Sequence, residues 1–264
     1  MERLFQDTIA GSGLHASLVV NHERVSHRER VDLALEHGSG VGQIQIAGVW
    51  ASVCSGIPTD HELPVFAERM PPRPDQGRWR RIYVEIDADA EIASTDAVGR
   101  AGVDWARLMF ADVNALGHWR HNRTLDGMAD CVFWGRDEEA LAQALGAPRL
   151  DEGFGWCDLP VEHAEEQVRT VEGARMNGWK VAIDFRPHSH HWQLMRQVRA
   201  STSESGTVEL GAAKLCGFMT SWGDAIFDVL AERDAVGRLA RLTIDCGNEE
   251  MVTRQRCFEE KLAR

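Results

Sequence analysis

The chain has few basic residues for its acidity and no long apolar run. Lysine and arginine number 29 against 41 aspartates and glutamates, which gives a formal net charge of −12. Nucleic acids and anionic membranes both recruit basic side chains, so neither is an expected partner. No stretch approaches the roughly 18 apolar residues of a membrane span, and the acidic residues 1–7 do not begin a signal peptide. These absences predict a cytoplasmic protein.

Familiar nucleotide-binding and nucleophile motifs are also missing. The sequence contains neither a Gly-x-x-x-x-Gly-Lys-Ser/Thr phosphate loop nor a Gly-x-Ser-x-Gly elbow, and its glycine-rich residues 38–42 precede a predicted strand. The six cysteines include no Cys-x-x-Cys pair, which predicts small buried side chains instead of a zinc knuckle or a disulfide framework. One tyrosine stands against nine tryptophans, and most of these indoles are expected to anchor the core.

What is present is a succession of strand-like and helix-like segments, which predicts an α+β fold, β-rich with antiparallel sheets. Acidic first turns and apolar spacing of three or four residues predict two amphipathic helices in the middle, at 137–145 and 161–175, and a charged carboxy-terminal helix at 249–262. The predicted strands are 16–20, 41–54, 80–86, 106–113, 179–185, 192–198, 207–219, 225–231 and 239–244.

A chain of 264 residues is long enough for one large domain. We expect a single domain, 1–264, with a possible subdivision into an amino-terminal β-rich part, 1–125, and a part with helices and antiparallel sheet, 126–264. The proline-rich residues 70–77 predict a surface loop, because proline removes a backbone donor and fixes φ.

Three histidines within four residues form the sharpest local feature. His188, His190 and His191 directly follow a predicted strand, and imidazole is a good ligand for zinc, iron or nickel. These three residues, with Asp184, are the candidate metal ligands; His163, His118 and His121 are further candidates for completing the site. The alternative is that the histidines occupy a strand-to-strand connection and form local hydrogen bonds.

The middle of the chain concentrates negative charge. Residues 134–175 contain ten acidic residues against four arginines, a net charge of −6. Acidic side chains on the outer faces of two helices would steer a basic partner at rates above those of a neutral encounter, although a solvated helical face has the same pattern. The candidate partner-binding residues are Asp151, Glu152, Glu162, Glu165, Glu166 and Glu172.

A turn near the carboxy terminus carries a family resemblance. Trp222, Gly223 and Asp224 predict a structural turn between two strands, because glycine accepts positive φ and aspartate bonds its own backbone. The last 50 or so residues resemble an uncharacterised bacterial family with the pattern Gly-Trp-Gly-Asp-Gly, aromatic-Pro-Val and Asp-x-x-Gly. The matching residues are Trp222, Gly223, Asp224, Phe227, Val229, Asp234 and Gly237, whereas Ala225 and Asp228 replace the usual glycine and proline.

The resemblance implies a β-rich protein, and some members of that family resemble immunity partners of secreted bacterial toxins. The leading hypothesis is therefore an acidic protein-binding factor that neutralises a basic toxin without a cofactor. One alternative is a metal-dependent hydrolase or oxygenase that uses His188, His190 and His191 with a divalent transition metal. Another is a non-catalytic ligand-binding or scaffold domain. The sequence leaves the oligomeric state open.

Overall fold

The computed structural model describes residues 26–36, 40–46, 49–70, 77–247 and 249–262. The strand predicted at 16–20 lies outside these residues, as do most of the loop predicted at 70–77 and part of the glycine-rich segment at 38–42. Every strand pairing in the described ranges is antiparallel. The predicted α+β class, β-rich with antiparallel sheets, is confirmed.

The chain folds as two compact units. Unit 1 consists of residues 1–118 and 200–264, and unit 2 consists of residues 119–199. Unit 2 is therefore inserted in the sequence of unit 1 and has two boundaries, after residues 118 and 199, whereas the subdivision that we expected had one boundary, after residue 125.

Unit 1 contains three antiparallel sheets in the described residues. The strands are β1 (Val41–Ile46), β2 (Val49–Cys54), β3 (Val65–Arg69), β4 (Trp79–Glu85), β5 (Ser94–Gly102), β6 (Arg107–Ala111), β11 (Ser205–Leu210), β12 (Ala213–Met219), β13 (Ile226–Arg233) and β14 (Leu239–Asp245); the helices are α1 (His27–Glu36), α2 (Val113–Leu116) and α6 (Glu249–Leu262). The largest sheet has the strand order β3-β4-β14-β13-β5, the second has the order β11-β12-β6, and β1 pairs with β2. The core of unit 1 includes Trp79, Phe218 and Phe227.

Unit 2 is built on one four-stranded sheet. Its strands are β7 (Met128–Gly135), β8 (Arg149–Leu150), β9 (Gly153–Pro160) and β10 (Val181–Pro187), and its helices are α3 (Glu138–Leu145), α4 (Val161–Met176) and α5 (His190–Ala200), which ends at the unit boundary. The strand order is β10-β7-β9-β8. Phe133 of the inner strand β7 packs with Leu141, Val171 and Val181, which gives this unit a core of its own.

Local signals located several elements correctly. Helix α3 ends at Gly146, whose φ of 67° is the left-handed conformation that glycine adopts most readily. Helix α4 buries Ala164 and Val171 on one side, as its apolar spacing predicts. The tight turn at 234–237 joins β13 and β14 into the predicted antiparallel hairpin. The predicted carboxy-terminal helix is α6.

Three segment predictions need correction. Residues 192–198, predicted as a strand, belong to helix α5, where Leu194, Met195 and Val198 are buried on one helical face. Helix α5 also has a cap, because Ser189 Oγ accepts a hydrogen bond from the backbone N–H of Trp192. The long segments 41–54 and 207–219 are not single strands but two-stranded hairpins, the second reversing at Gly211 with a φ of 64°.

The expectations for cysteine and tryptophan hold only in part. Cys131 and Cys246 are buried, whereas Cys157 and Cys257 are exposed, and all six thiols are free. Among the indoles expected to anchor the core, Trp105 is 72% exposed. Within the described residues, no helix combines the length and apolar character needed to span a membrane.

Candidate metal centre in unit 2

His188 is held at the end of β10 with both ring nitrogens on carboxylates. Its backbone N–H donates to the Met128 carbonyl at 3.0 Å, which extends the β10–β7 pairing by one residue. The side chain is only 5% exposed. Nδ1 lies 3.0 Å from Asp126 Oδ2, and Nε2 lies 3.1 Å from Asp130 Oδ1. A buried imidazole with an acidic partner on each nitrogen is the centre of the candidate site.

Asp130 connects three elements of unit 2 through its side chain. It is the third residue of β7, and its side chain is 11% exposed. Its Oδ2 accepts a hydrogen bond of 2.8 Å from Trp192 Nε1 on α5, and its Oδ1 accepts one of 2.9 Å from the backbone N–H of Asp158 on β9. The Trp192 ring also stacks on the His188 ring, with 3.9 Å between centroids. These bonds fix the orientation of the carboxylate.

Asp158 reaches the site because β9 bulges opposite Asp130. Ala129 pairs with Leu159 and Cys131 pairs with Trp156, so the single residue Asp130 faces two residues of β9, one of them Asp158. Asp158 has a φ of 53°, a left-handed conformation that aspartate tolerates better than most residues. Its Oδ1 lies 3.6 Å from His188 Nε2, and its side chain is 75% exposed. The bulge thus brings a solvent-facing carboxylate to the imidazole.

Asp126 is positioned by the turn that precedes β7. Its Oδ1 accepts hydrogen bonds from the Met128 backbone and from Thr124 Oγ1, each at 2.9 Å, while its Oδ2 faces His188. Partial desolvation would raise the pKa of Asp126, but the hydrogen bonds from Met128, His188 and Thr124 outweigh it, so the pKa is lowered. Asp126 is therefore a stable anion beside Nδ1.

The same contacts control the protonation of His188. Burial alone would lower the pKa of this imidazole, yet the hydrogen bonds to Asp130 and Asp126, with their negative charges, have the larger combined effect and raise the pKa. Without a metal ion, protons on both nitrogens let His188 bridge the two carboxylates as an imidazolium.

The spacing of the ligand atoms suits a small cation. Asp130, Asp158 and His188 each offer one ligand atom, and all three atoms lie within 4.8 Å of one another. Bonds of about 2.1 Å to a central ion place neighbouring ligand atoms about 3.0–3.4 Å apart in octahedral or tetrahedral geometry. His188 Nε2 is 3.1 Å from the Asp130 oxygen and 3.6 Å from the Asp158 oxygen. A metal ion can therefore take the place of the Nε2 proton after small shifts of the three ligand atoms.

The other predicted ligands lie in different contacts. Asp184 Oδ2 accepts a 2.7 Å hydrogen bond from Arg186 Nε. His190 Nδ1 accepts one of 2.9 Å from the Arg120 backbone, and burial, aided by the Arg120 charge, lowers the pKa of His190. His191 stacks on His121, with 4.2 Å between ring centroids. Of the four predicted ligands, only His188 belongs to the three-residue group found in the described chain. The histidines connect a strand to a helix, not a strand to a strand.

The remaining candidates for completing the predicted site also lie elsewhere. His163 is exposed on α4, and His118 belongs to unit 1.

The acidic candidates for partner binding fall into two groups. Glu162, Glu165, Glu166 and Glu172 are exposed along α4, and Asp151 is exposed beside β8. Glu152 differs, because its carboxylate accepts from both Arg186 and Arg199 at 2.9 Å. Its charge is therefore balanced within unit 2.

The predicted structural turn in unit 1 has the expected glycine conformation, but the Asp224 carboxylate bonds a backbone N–H 118 residues away instead of the neighbouring backbone that we expected. Gly223 has a φ of 78°, and Trp222 packs against the core while its Nε1 donates to the Trp79 carbonyl at 2.7 Å. Asp224 Oδ1 accepts a 2.7 Å hydrogen bond from the backbone N–H of Ala106. These contacts give the three residues a packing and turn-forming role.

Sequence reasoning missed the carboxylates that surround His188. Asp126 and Asp130 precede it by 62 and 58 residues, so no local spacing joins them. A weak signal was available in β7, where Asp130 is the one charged residue in the apolar run Met128–Gly135. An ionisable residue in a buried strand is costly unless paired, so such a position predicts a partner elsewhere in the chain.

Comparison of the chain with protein-family models, with curated proteins and with solved structures found no match.

Proposed function

We propose that unit 2 binds one divalent transition-metal ion through Asp130, Asp158 and His188. The observation that carries this proposal is the pairing of His188 Nδ1 with Asp126 at 3.0 Å, since it leaves Nε2 directed at the other two carboxylates. Metal-binding histidines commonly donate their second nitrogen to a carboxylate in this way, which fixes the ring and makes it more basic. Trp192 orients Asp130 in the same manner.

The ligand chemistry narrows the class of ion. One imidazole nitrogen and two carboxylate oxygens suit zinc, iron(II), cobalt or manganese better than soft ions that prefer sulfur. Three protein ligands leave at least one coordination position for water or a substrate, as in catalytic metal sites. The high exposure of Asp158 indicates that this position faces solvent. The metal-dependent hydrolase or oxygenase hypothesis is thus kept with a different ligand set.

The proposal is tested by calorimetric titration of tag-free, EDTA-treated protein with Zn²⁺, Co²⁺ and Mn²⁺. We expect one equivalent to bind, and we expect Asp158→Asn to weaken binding at least about 100-fold, because a ligand is lost while asparagine keeps the left-handed backbone. Asp126→Asn should weaken metal binding about 10–100-fold, because the His188 imidazole loses the carboxylate that orients it. Asp184→Asn and His190→Gln are matched controls that should bind as the wild type does. Less than about a tenth of an equivalent bound would overturn the proposal.

A second candidate function is the binding of a basic protein by the acidic surface of α4. Glu162, Glu165 and Glu166 are exposed on the side opposite the buried Ala164 and Val171. Such a surface raises the rate of encounter with a cationic partner. The resemblance of the carboxy-terminal turn to a family with toxin-immunity members makes a basic bacterial toxin the concrete partner.

This second candidate is tested by co-expression with a basic bacterial toxin domain. Reversing the charges of Glu162, Glu165 and Glu166 to lysine should abolish protection while leaving the fold intact, since exposed helix charges affect stability by only tenths of a kcal/mol, roughly. The matched control reverses Asp89, Glu91 and Asp96, three exposed acids of unit 1. Equal protection by both triple variants would rule out the α4 surface.

A further inference from the structure

A cleft of about 530 Å³ lies in unit 1, between the hairpin β1–β2 and the strands β5 and β13 of the largest sheet. Its lining includes Trp50 of β2, Arg100 of β5, and Ile226 and Asp228 of β13. These residues belong to unit 1, whereas the candidate metal centre belongs to unit 2. Clefts of this size typically hold small molecules through apolar walls and a few polar groups.

Two glycines of β5 let the hairpin lie close against that strand. A Cβ at Gly99 would come within 2.3 Å of Ser52 Oγ, and a Cβ at Gly102 would come within 3.0 Å of the Trp50 backbone nitrogen. Ser52 Oγ also donates a hydrogen bond of 3.0 Å to the Arg100 carbonyl. The absence of side chains at the two glycines therefore seats Ser52 beside Arg100 and Trp50 beside Gly102.

The pairing of β5 with β13 gives the cleft an apolar end and a charged end. Gly102 pairs with Ile226, and Arg100 pairs with Asp228. Residues two apart in a strand lie on the same face, so Ile226 and Asp228 point to the same side of the sheet. The apolar end contains Trp50, which is 43% exposed, and Ile226, which is 54% exposed. The charged end lies two residues further along the strands, a distance of about 7 Å.

The charged end presents both signs of charge to solvent. Arg100 Nε lies 3.7 Å from Asp228 Oδ1, well beyond the roughly 2.8 Å of a charge-assisted hydrogen bond. Both side chains are about half exposed or more, and a pair of this kind contributes little to stability. Asp245 faces Asp228 across the β13–β14 pairing and adds a second carboxylate beside it. A ligand can therefore engage the guanidinium and the carboxylate at little cost to the fold.

We propose that this cleft binds a free α-amino acid with a large apolar side chain. Its ammonium group contacts Asp228, its carboxylate contacts Arg100, and its side chain lies between Trp50 and Ile226. The ammonium nitrogen and the carboxylate carbon of an α-amino acid are about 2.5 Å apart. They can therefore meet an Arg100–Asp228 pair whose facing atoms are 3.7 Å apart.

The mixed charge of the cleft favours a zwitterion over a ligand with one charge. A simple amine would be repelled by Arg100, and a simple carboxylic acid would be repelled by Asp228 and Asp245. An amino acid offers an opposite charge to each side. The proposal is independent of metal binding by unit 2.

The test is calorimetric titration of full-length protein in EDTA, so that metal binding does not contribute. The probes are L-phenylalanine and L-leucine. Three comparison compounds each lack one feature: phenylalaninamide lacks the carboxylate, N-acetyl-L-phenylalanine lacks the ammonium group, and L-alanine lacks the large side chain. We expect at least one probe to bind with a Kd below about 1 mM. Each comparison compound should bind at least about tenfold more weakly, since a charged hydrogen bond or apolar burial is lost.

Two variants assign the charged contacts by the preference that each one removes. Arg100→Gln should weaken binding of the probes at least about tenfold and abolish the preference for L-phenylalanine over phenylalaninamide. Asp228→Asn should weaken binding similarly and abolish the preference over N-acetyl-L-phenylalanine. A general loss of structure would not remove one preference and spare the other.

The matched control is Asp96→Asn, which changes an exposed acid on the same strand as Arg100 and should bind the probes as the wild type does. Circular dichroism checks that each variant is folded. The inference is overturned if neither probe binds at 1 mM, if the comparison compounds bind as well as L-phenylalanine, or if the Arg100 and Asp228 variants keep the wild-type preferences.

Discussion

Replacing Asp130 by alanine should destabilise unit 2 without creating any large cavity. The carboxylate accepts hydrogen bonds from His188 Nε2 at 3.1 Å, Trp192 Nε1 at 2.8 Å and the Asp158 backbone N–H at 2.9 Å. Alanine leaves all three donors without this acceptor, and the buried His188 keeps only Asp126 at 3.0 Å and the more distant, exposed Asp158 at 3.6 Å.

The magnitude follows from the burial of these groups. A buried donor without a partner costs about 1–3 kcal/mol, and breaking a buried ion pair by removing one side costs about 3–5 kcal/mol. These contributions overlap, because the His188 bond belongs to both. A change in the protonation of His188 and the entry of water into the site reduce the lost stability. We therefore expect the free energy of unfolding to fall by about 3–5 kcal/mol.

The assay is urea unfolding in EDTA, followed by far-ultraviolet circular dichroism, so that metal binding does not contribute. Asp158→Asn is the control, because that side chain is mostly exposed and asparagine tolerates its positive φ. It should change the unfolding free energy by less than about 0.5 kcal/mol. A loss below about 1 kcal/mol for Asp130→Ala would refute the conclusion that this carboxylate holds α5, β9 and His188 together.

Three further predictions concern protonation and packing. The pKa of His188 in the folded protein is raised above the unfolded value near 6.5. The imidazole therefore stabilises the fold fully below pH 6.5, and this stabilisation is lost as the pH rises through the folded pKa. In urea titrations with EDTA, His188→Gln should therefore cost more stability at pH 6 than at pH 9. Burial and the charge of Asp228 raise the pKa of Asp245, so its ionised form destabilises the folded protein at pH 7. Asp245→Asn should therefore stabilise the protein at pH 7 but not near pH 3, where Asp245 is protonated in the folded and in the unfolded protein. Urea titrations at the two pH values test this. Trp222→Ala should cost about 3 kcal/mol, because this half-buried indole packs on the core of unit 1, whereas the exposed Trp105→Ala should cost under about 1 kcal/mol.

Local sequence determined the elements whose signals are complete within a few residues. The acidic start of α3 and the glycine after it define a helix without reference to the rest of the chain. The turn at 234–237 likewise fixes the hairpin of β13 and β14. The apolar residues of 192–198 satisfy both strand and helix spacing, so the Ser189 cap and burial of one helical face decided in favour of α5.

The candidate site needed tertiary structure because its ligands come from distant elements. The sequence identified His188 as a candidate ligand from its position beside two other histidines, yet those neighbours make separate contacts. Strand pairing and a bulge bring Asp130 and Asp158 to His188, and a turn before β7 adds Asp126. The sequence by itself thus determined helices α3, α4 and α6, several strands and which imidazole to consider, whereas β7 and β9, which carry Asp130 and Asp158, were not predicted from it. Only the pairing of strands far apart in the chain decided which carboxylates surround it, because the register depends on which side chains of both strands are buried together, and one segment alone does not contain that information.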